Sequence, residues 1–127
     1  MKLSTVRKGL IGESLVIASI LEFGLDLYKP CCDDKTIDLL VLVDGRPIKI
    51  QVKNHRYMST KSSITIRVTP TDADIIAVPY KERVFYVVNN KKNKQWNFSI
   101  AIRTPRNNQK IGIKFAEEYE EFPYDNI

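Results

Sequence analysis

Apolar and polar residues alternate most cleanly between positions 36 and 53. Val41, Leu42 and Val43 lead into Asp44-Gly45, a dipeptide that favours a tight hairpin turn. Beyond the turn, Ile48, Ile50 and Val52 alternate with Lys49, Gln51 and Lys53. A period of two puts the apolar three on one face and the polar three on the other, so Gln51 and Lys53 project side by side. A two-residue loop over Asp44-Gly45 sets Asp38 opposite Gln51; a four-residue loop over 44–47 sets it opposite Lys53. Either register keeps Asp38, Gln51 and Lys53 on one face, because an even shift does not flip side chains. A three-residue loop would part them unless a bulge restored the phase.

Ahead of the hairpin, Val6, Leu10, Ile17, Ile20 and Leu21 recur at helical spacing. Ser4 or Thr5 caps that helix, which runs to about Phe23 and ends at Gly24. Glu13 falls on the same stripe. An acid there is costly to bury unless it is paired or binds a metal, and the alternative is a place at the stripe's margin. Gly9 and Gly12 weaken the helix but permit close approach of backbone or a phosphate. A short strand at 25–28 stops before Pro30, and a polar connection, in which Asp33 and Asp34 read as loop acids, leads to Asp38.

Residues 54–61 read as a polar, basic loop. Strands follow at 64–68, 75–78, 84–88 and 95–102, separated by turns at Pro70, Pro79 and Asn89-Asn90. Lys91, Lys92 and Lys94 form a basic tip. Trp96, Phe98 and Ile100 alternate and should point inward. A second basic loop, 104–110, precedes Ile111, Phe115, Tyr119 and Phe122, whose spacing predicts a C-terminal helix. Strands between helices give an α/β (α+β) fold with a mixed sheet. The first helix is expected over the sheet face that carries Asp38, with Glu13 joining the cluster from above.

The chain has 127 residues, 43% hydrophobic and 28% charged, enough for one domain over 1–127 with its own core. No apolar run is long enough to span a membrane, no signal peptide is evident, and adjacent Cys31 and Cys32 suit reduced thiols better than a disulfide framework. A cytoplasmic, reducing setting is expected. The net charge of +5 conceals an asymmetry. Five acids fall from Glu117 onward, where no Lys or Arg occurs, so the preceding chain sets twenty basic residues against ten acidic. That excess suits a polyanionic partner.

The hairpin cluster has a chemical use. A carboxylate, an amide oxygen and the Val52 carbonyl can hold a hard divalent cation such as magnesium. Lys53 can orient or deprotonate a water, or offset charge on a phosphate. The competing reading makes Lys49, Gln51 and Lys53 the wet face of an amphipathic strand.

Lys8-Gly9 and Gly12-Glu13-Ser14 on a helix, then Asp38, then Gln51-Val52-Lys53, resemble the PD-(D/E)XK nuclease superfamily, with glutamine in place of the usual second acid. The segments 72–78 and 84–88 and the loop 103–109 are similar to a compact branch that includes intron-encoded homing endonucleases. The resemblance implies a restriction-endonuclease-like core and magnesium- or manganese-dependent hydrolysis of DNA phosphodiesters. It makes Asp38 the main metal ligand, Gln51 the second, Glu13 a direct or water-mediated ligand, and Lys53 the residue that positions water or stabilises the pentavalent phosphate. The amide brings no charge, so metal should bind more weakly than at an all-acid site. Pro30 is not adjacent to Asp38, so the literal Pro-Asp pair is absent.

A homing endonuclease of this size implies a homodimer or homotetramer on double-stranded DNA, because cutting both strands takes two centres. Lys8, His55, Arg56, Lys61, Arg67, Lys92, Arg103, Arg106 and Gln109 are the candidate DNA contacts. A Holliday-junction resolvase or restriction-type nuclease on the same core is the alternative enzyme. A DNA-binding module that has lost cleavage is the alternative of a different class.

Overall fold

The computed structural model describes residues 2–32, 36–57, 62–102 and 116–127. Three layers stack: a helix, a five-stranded sheet and a two-stranded ribbon. The helix α1 spans Thr5–Glu22. The Ser4 hydroxyl accepts from the Arg7 amide (3.2 Å) as an N-cap, and Gly24 at φ +79° turns the chain out. Both ends are where the sequence puts them.

The large sheet has the order β1-β2-β3-β5-β6, built from β1 (Asp26–Tyr28), β2 (Leu39–Val43), β3 (Arg46–Val52), β5 (Ile75–Tyr80) and β6 (Arg83–Val88). Strands β4 (Ser63–Val68) and β7 (Trp96–Ala101) form the separate ribbon. β3 is antiparallel to β2 and parallel to β5, so it is held by backbone bonds on both sides. The β2–β3 turn is the two-residue one. Asp44 and Gly45 sit at φ 51° and 78°, and Val43 pairs with Arg46.

The two faces of the sheet bury different cores. Val16 and Ile20 of α1 pack on Leu39, Val41, Ile50, Ile75 and Tyr86. Ile64, Ile66, Phe98 and Ile100 of the ribbon pack on Ile76, Val78, Phe85 and Val87. Gln51 lies opposite Ile76 in the β3–β5 register, on the ribbon side. The expectation that α1 covers the face carrying Gln51 is therefore corrected: α1 covers the other face, while Asp38, just before β2, feels the charge of Glu13 on α1. Its buried stripe matches the predicted one only in part: Ile20 is buried and Ile17 packs against the core as expected, but the rest differs. Gly12, Val16 and Ile20 are buried, whereas Val6, Leu10 and Leu21 are 72%, 54% and 57% exposed. Tyr86 anchors the helix through its hydroxyl, which donates to Ser19 Oγ (2.7 Å), and burial pushes that phenol up to about 12.

Two boundary expectations change. Pro79 lies within β5 rather than in a turn. Its carbonyl accepts from the His55 amide (2.9 Å), so its nitrogen faces that flank, where paired β3 has already ended, and no bond to β6 is lost. The predicted C-terminal helix begins outside the described residues. From Ala116–Tyr119 the chain is a 3₁₀ turn, and a second follows at Tyr124–Asn126. Tyr119 packs against the ribbon-side core and Phe122 against the helix-side core, which a single face of a continuing helix could not do.

Asn89 ties the ribbon to the sheet. Its buried amide donates to the carbonyls of Thr71 (3.2 Å) and Ala73 (2.9 Å), and its oxygen accepts from Trp96 Nε1 (3.0 Å). Asn89→Ala strands these partners and should lower stability by about 2–3 kcal/mol in urea unfolding. A change under about 0.5 kcal/mol would show that water replaces the amide.

Candidate active site

The ladder between β2 and β3 ends at Leu39↔Ile50. Past it, the Asp38 amide donates to the Ile50 carbonyl (2.9 Å) and the Asp38 carboxylate accepts from the Val52 amide (2.7 Å). The side chain thus takes the place of a strand carbonyl, and Asp38 is fixed beside the C-terminal end of β3. The register puts it level with Gln51, as the two-residue turn requires. Lys53 follows at once, its amide donating to the Ala77 carbonyl (2.8 Å).

Glu13 reaches this cluster from the margin of the buried stripe on α1. Gly12 makes the approach possible. A Cβ there would stand 2.6 Å from Cγ of Asn54, so no larger residue fits without displacing that side chain. Asn54 Nδ2 donates to the Lys8 carbonyl (2.9 Å) and its Oδ1 accepts from the Arg56 amide (3.0 Å). The close approach foreseen at Gly12 is therefore made by a side chain, one residue after Lys53.

The electrostatics follow from these neighbours. Burial raises the Asp38 carboxyl above its ordinary range, opposed by the Val52 amide; Glu13 pushes it further up, while Lys53 and Lys29 draw it down. Lys29 Nζ forms an ion pair with Glu13 Oε1 (2.7 Å). Gln51 is 8% exposed, and its Oε1 is buried without a hydrogen-bond partner. A buried amide oxygen left unpaired is costly, and a hard cation would satisfy it. Among the described residues no three His, Cys, Asp or Glu side chains form a metal-holding group. The donor set that fits a hard cation here is mixed: two acids, Asp38 and Glu13, with one amide and backbone oxygen.

The remaining predicted contacts scatter. Lys8 Nζ and the Arg56 guanidinium lie 5.3 and 5.6 Å from the centroid of the Tyr57 ring, beside the cluster. Arg56 also pairs with Glu82 (3.3 Å). Burial, then Lys53, lowers the His55 imidazole, which disfavours its charged form. Lys92 is bound by Asp74 (2.7 Å), which also accepts from the Lys49 amide; it belongs to a structural cluster. Arg67 stands exposed on the ribbon. Lys61, Arg103, Arg106 and Gln109, like Asp33 and Asp34, lie outside the described residues.

Sequence reasoning missed Asn54 and Lys29. A small residue at 12 was the only trace of the first. The second depends on the register Tyr28↔Leu40, which carries the end of β1 toward Asp38.

The family described as PD-(D/E)XK endonuclease matches residues 3–122. No curated protein matches the sequence. Among solved structures, the bacterial homing endonuclease I-Ssp6803I superposes with a TM-score of 0.72 at 21% identity, over 93% of this chain and 87% of that one.

A raised carboxyl pKa means that the folded protein holds the proton more tightly than the unfolded chain. Stability from this group is then full at low pH and falls as pH rises from the ordinary carboxylate range through the raised value. Asp38→Asn keeps an acceptor for the Val52 amide and removes the buried charge. In metal-free buffer it should therefore stabilise the protein at pH 7, with the gain vanishing at pH 3. Urea titrations that find it destabilised equally at both pH values would show that the carboxylate is not under strain.

Proposed function

The chain belongs to the PD-(D/E)XK endonuclease family, and on that premise we propose a site-specific, magnesium-dependent double-strand DNA endonuclease of the homing type. One observation carries the reading: at the end of β3 the Asp38 carboxylate is held by the Val52 amide and feels the charges of Glu13 and Lys53, on the strand where Gln51 buries an unpartnered amide oxygen. The fold shared with a homing endonuclease supports it.

Asp38, Gln51 Oε1, Glu13 and the Val52 carbonyl would hold magnesium, with manganese as a substitute. Such an ion, when bound, supplies Lewis-acid polarisation of the scissile phosphate. Lys53 directs its ammonium at the reaction centre. There it orients the attacking water and offsets the charge that gathers on the phosphate oxygens. The water oxygen bonds to phosphorus as one P–O ester bond breaks, and the departing oxygen takes up a proton. Asp38 is held by the Val52 amide through one oxygen, and its other oxygen would serve the metal. Lys8, Arg56 and Arg67 contribute to DNA binding, and the Tyr57 ring attracts the first two cations through its π face.

Cutting both strands takes two centres related by a two-fold axis. The exposed stripe of Val6, Leu10 and Leu21 on α1 supplies an apolar surface for a second copy. We read the protein as a homodimer or a homotetramer built through this face.

Cleavage of a plasmid library of insertion-type sites, beside a synthetic four-way junction, tests the chemistry. Wild type should cut duplex at one site with magnesium and not in EDTA. Lys53→Ala should lower the rate by about 10²–10³-fold, and Gln51→Glu should lower the magnesium concentration needed. Cutting of the junction alone would move the protein to the resolvases, and metal-independent binding without cleavage would end the nuclease reading.

Sedimentation tests the assembly. Leu10→Glu with Leu21→Glu should yield monomers that no longer cut both strands together. A wild-type monomer at working concentration would overturn it.

A further inference from the structure

The β4–β7 ribbon has two unlike faces. Its inner residues are buried against the sheet. Its outer face carries Ser63, Thr65, Arg67, Gln95, Asn97 and Ser99, every one of them exposed. An ordinary solvated strand face mixes charges of both signs, and lone edges are commonly blunted with lysine or acid. Among the described residues this face has no acid and a single charge, Arg67. Apart from Ala101 opposite Ser63, the rest are hydroxyls and amides, groups that both donate and accept.

We propose that this face enters the major groove of duplex DNA and reads base edges, with Arg67 specifying a guanine. The proposal rests on the endonuclease reading above. A two-stranded ribbon, with strands about 4.8 Å apart, fits a groove about 12 Å wide. Its six paired positions span roughly 20 Å, about six base-pair steps. The groove is strongly negative, and a face with one cation and no carboxylate meets it without repulsion.

Arg67 is prepared for this task. It lies directly opposite Asn97, and its Nη2 donates to Gln95 Oε1 (3.1 Å). That bond fixes the plane of the guanidinium and leaves its other N–H groups free to address O6 and N7 of a guanine together. Asn97 beside it has the donor and acceptor that match adenine. The hydroxyls of Thr65 and Ser99 meet across the strands (2.9 Å), so their positions are set before binding. The ribbon itself is stiff: its inner face is packed, and the Trp96 indole is tied to buried Asn89. Side chains on such a platform read sequence more sharply than side chains on a loop.

The test is selection of bound duplexes from a randomised library by the full chain, in calcium and in EDTA so that the DNA stays intact. Wild type is compared with Arg67→Lys, Arg67→Ala and Gln95→Ala. Wild type should enrich a motif with a fixed G·C pair. Both Arg67 variants should lose about 5–100-fold of the preference at that pair and keep the rest of the motif. Gln95→Ala should show a smaller loss at the same pair. Lysine is decisive, because it keeps the charge and folds as readily but cannot make the paired contact.

Uniform weakening by Arg67→Ala, with a salt slope lower by about one and an unchanged motif, would make Arg67 a phosphate contact and overturn the proposal. An identical motif and affinity in all variants would place the ribbon outside the interface, with DNA binding itself intact. Retention of no duplex by wild type in either buffer would instead overturn the endonuclease reading, and this proposal with it.

Discussion

The bond from the Val52 amide to the Asp38 carboxylate is where the strands become a site. It closes the β2–β3 ladder with a side chain instead of a carbonyl, and so leaves a carboxylate at the rim of the sheet. A half-buried carboxylate is unfavourable, and the amide offsets part of that cost. Because β3 is bonded to β2 and β5, Gln51 sits on a central strand, and Lys53, one residue past its end, is tied to β5 through its amide. Three of the four polar groups thus inherit the stiffness of the sheet, which a loop-borne site would lack.

The fourth arrives from another layer. α1 packs on the opposite face of the sheet from Gln51, and Glu13 extends past the margin of its contact. The approach is set by a missing side chain at Gly12 and a present one at Asn54. Two acids then share a small space, and Lys29 and Lys53 stand against them. The cluster is balanced rather than relaxed: Asp38 is biased toward its proton and the Gln51 oxygen is unpartnered. Each of these two conditions is of the kind that a divalent cation relieves, which is the chemical ground of the proposed metal site.

Much of this was legible locally. Asp44-Gly45 fixed the turn because both residues take positive φ, and the turn fixed which residues share a face. Ser4 and Gly24 bounded α1 by capping chemistry that acts within a few residues. The helix face was legible only in part, through Ile17 and Ile20. Val6, Leu10 and Leu21 are as apolar as a core requires, yet the covered stripe runs through Gly12, Val16 and Ile20. Periodicity counts apolar residues, whereas packing selected the stripe with the smallest obstacle. Pro79 misled for a related reason: its missing N–H is harmless only because the partner strand has ended on that flank.

The sequence by itself determined the hairpin, its register and the order of acid, amide and lysine along it, because these depend on turn geometry and the two-residue period of a strand. It also determined the alternation that gives the ribbon one apolar and one polar face. Only the tertiary structure decided which sheet face α1 covers, how Glu13 gains access to Asp38, and that Lys92 belongs to the Asp74 cluster. Those outcomes rest on contacts between residues distant in the chain, where burial and close approach, not local backbone preference, set the energy.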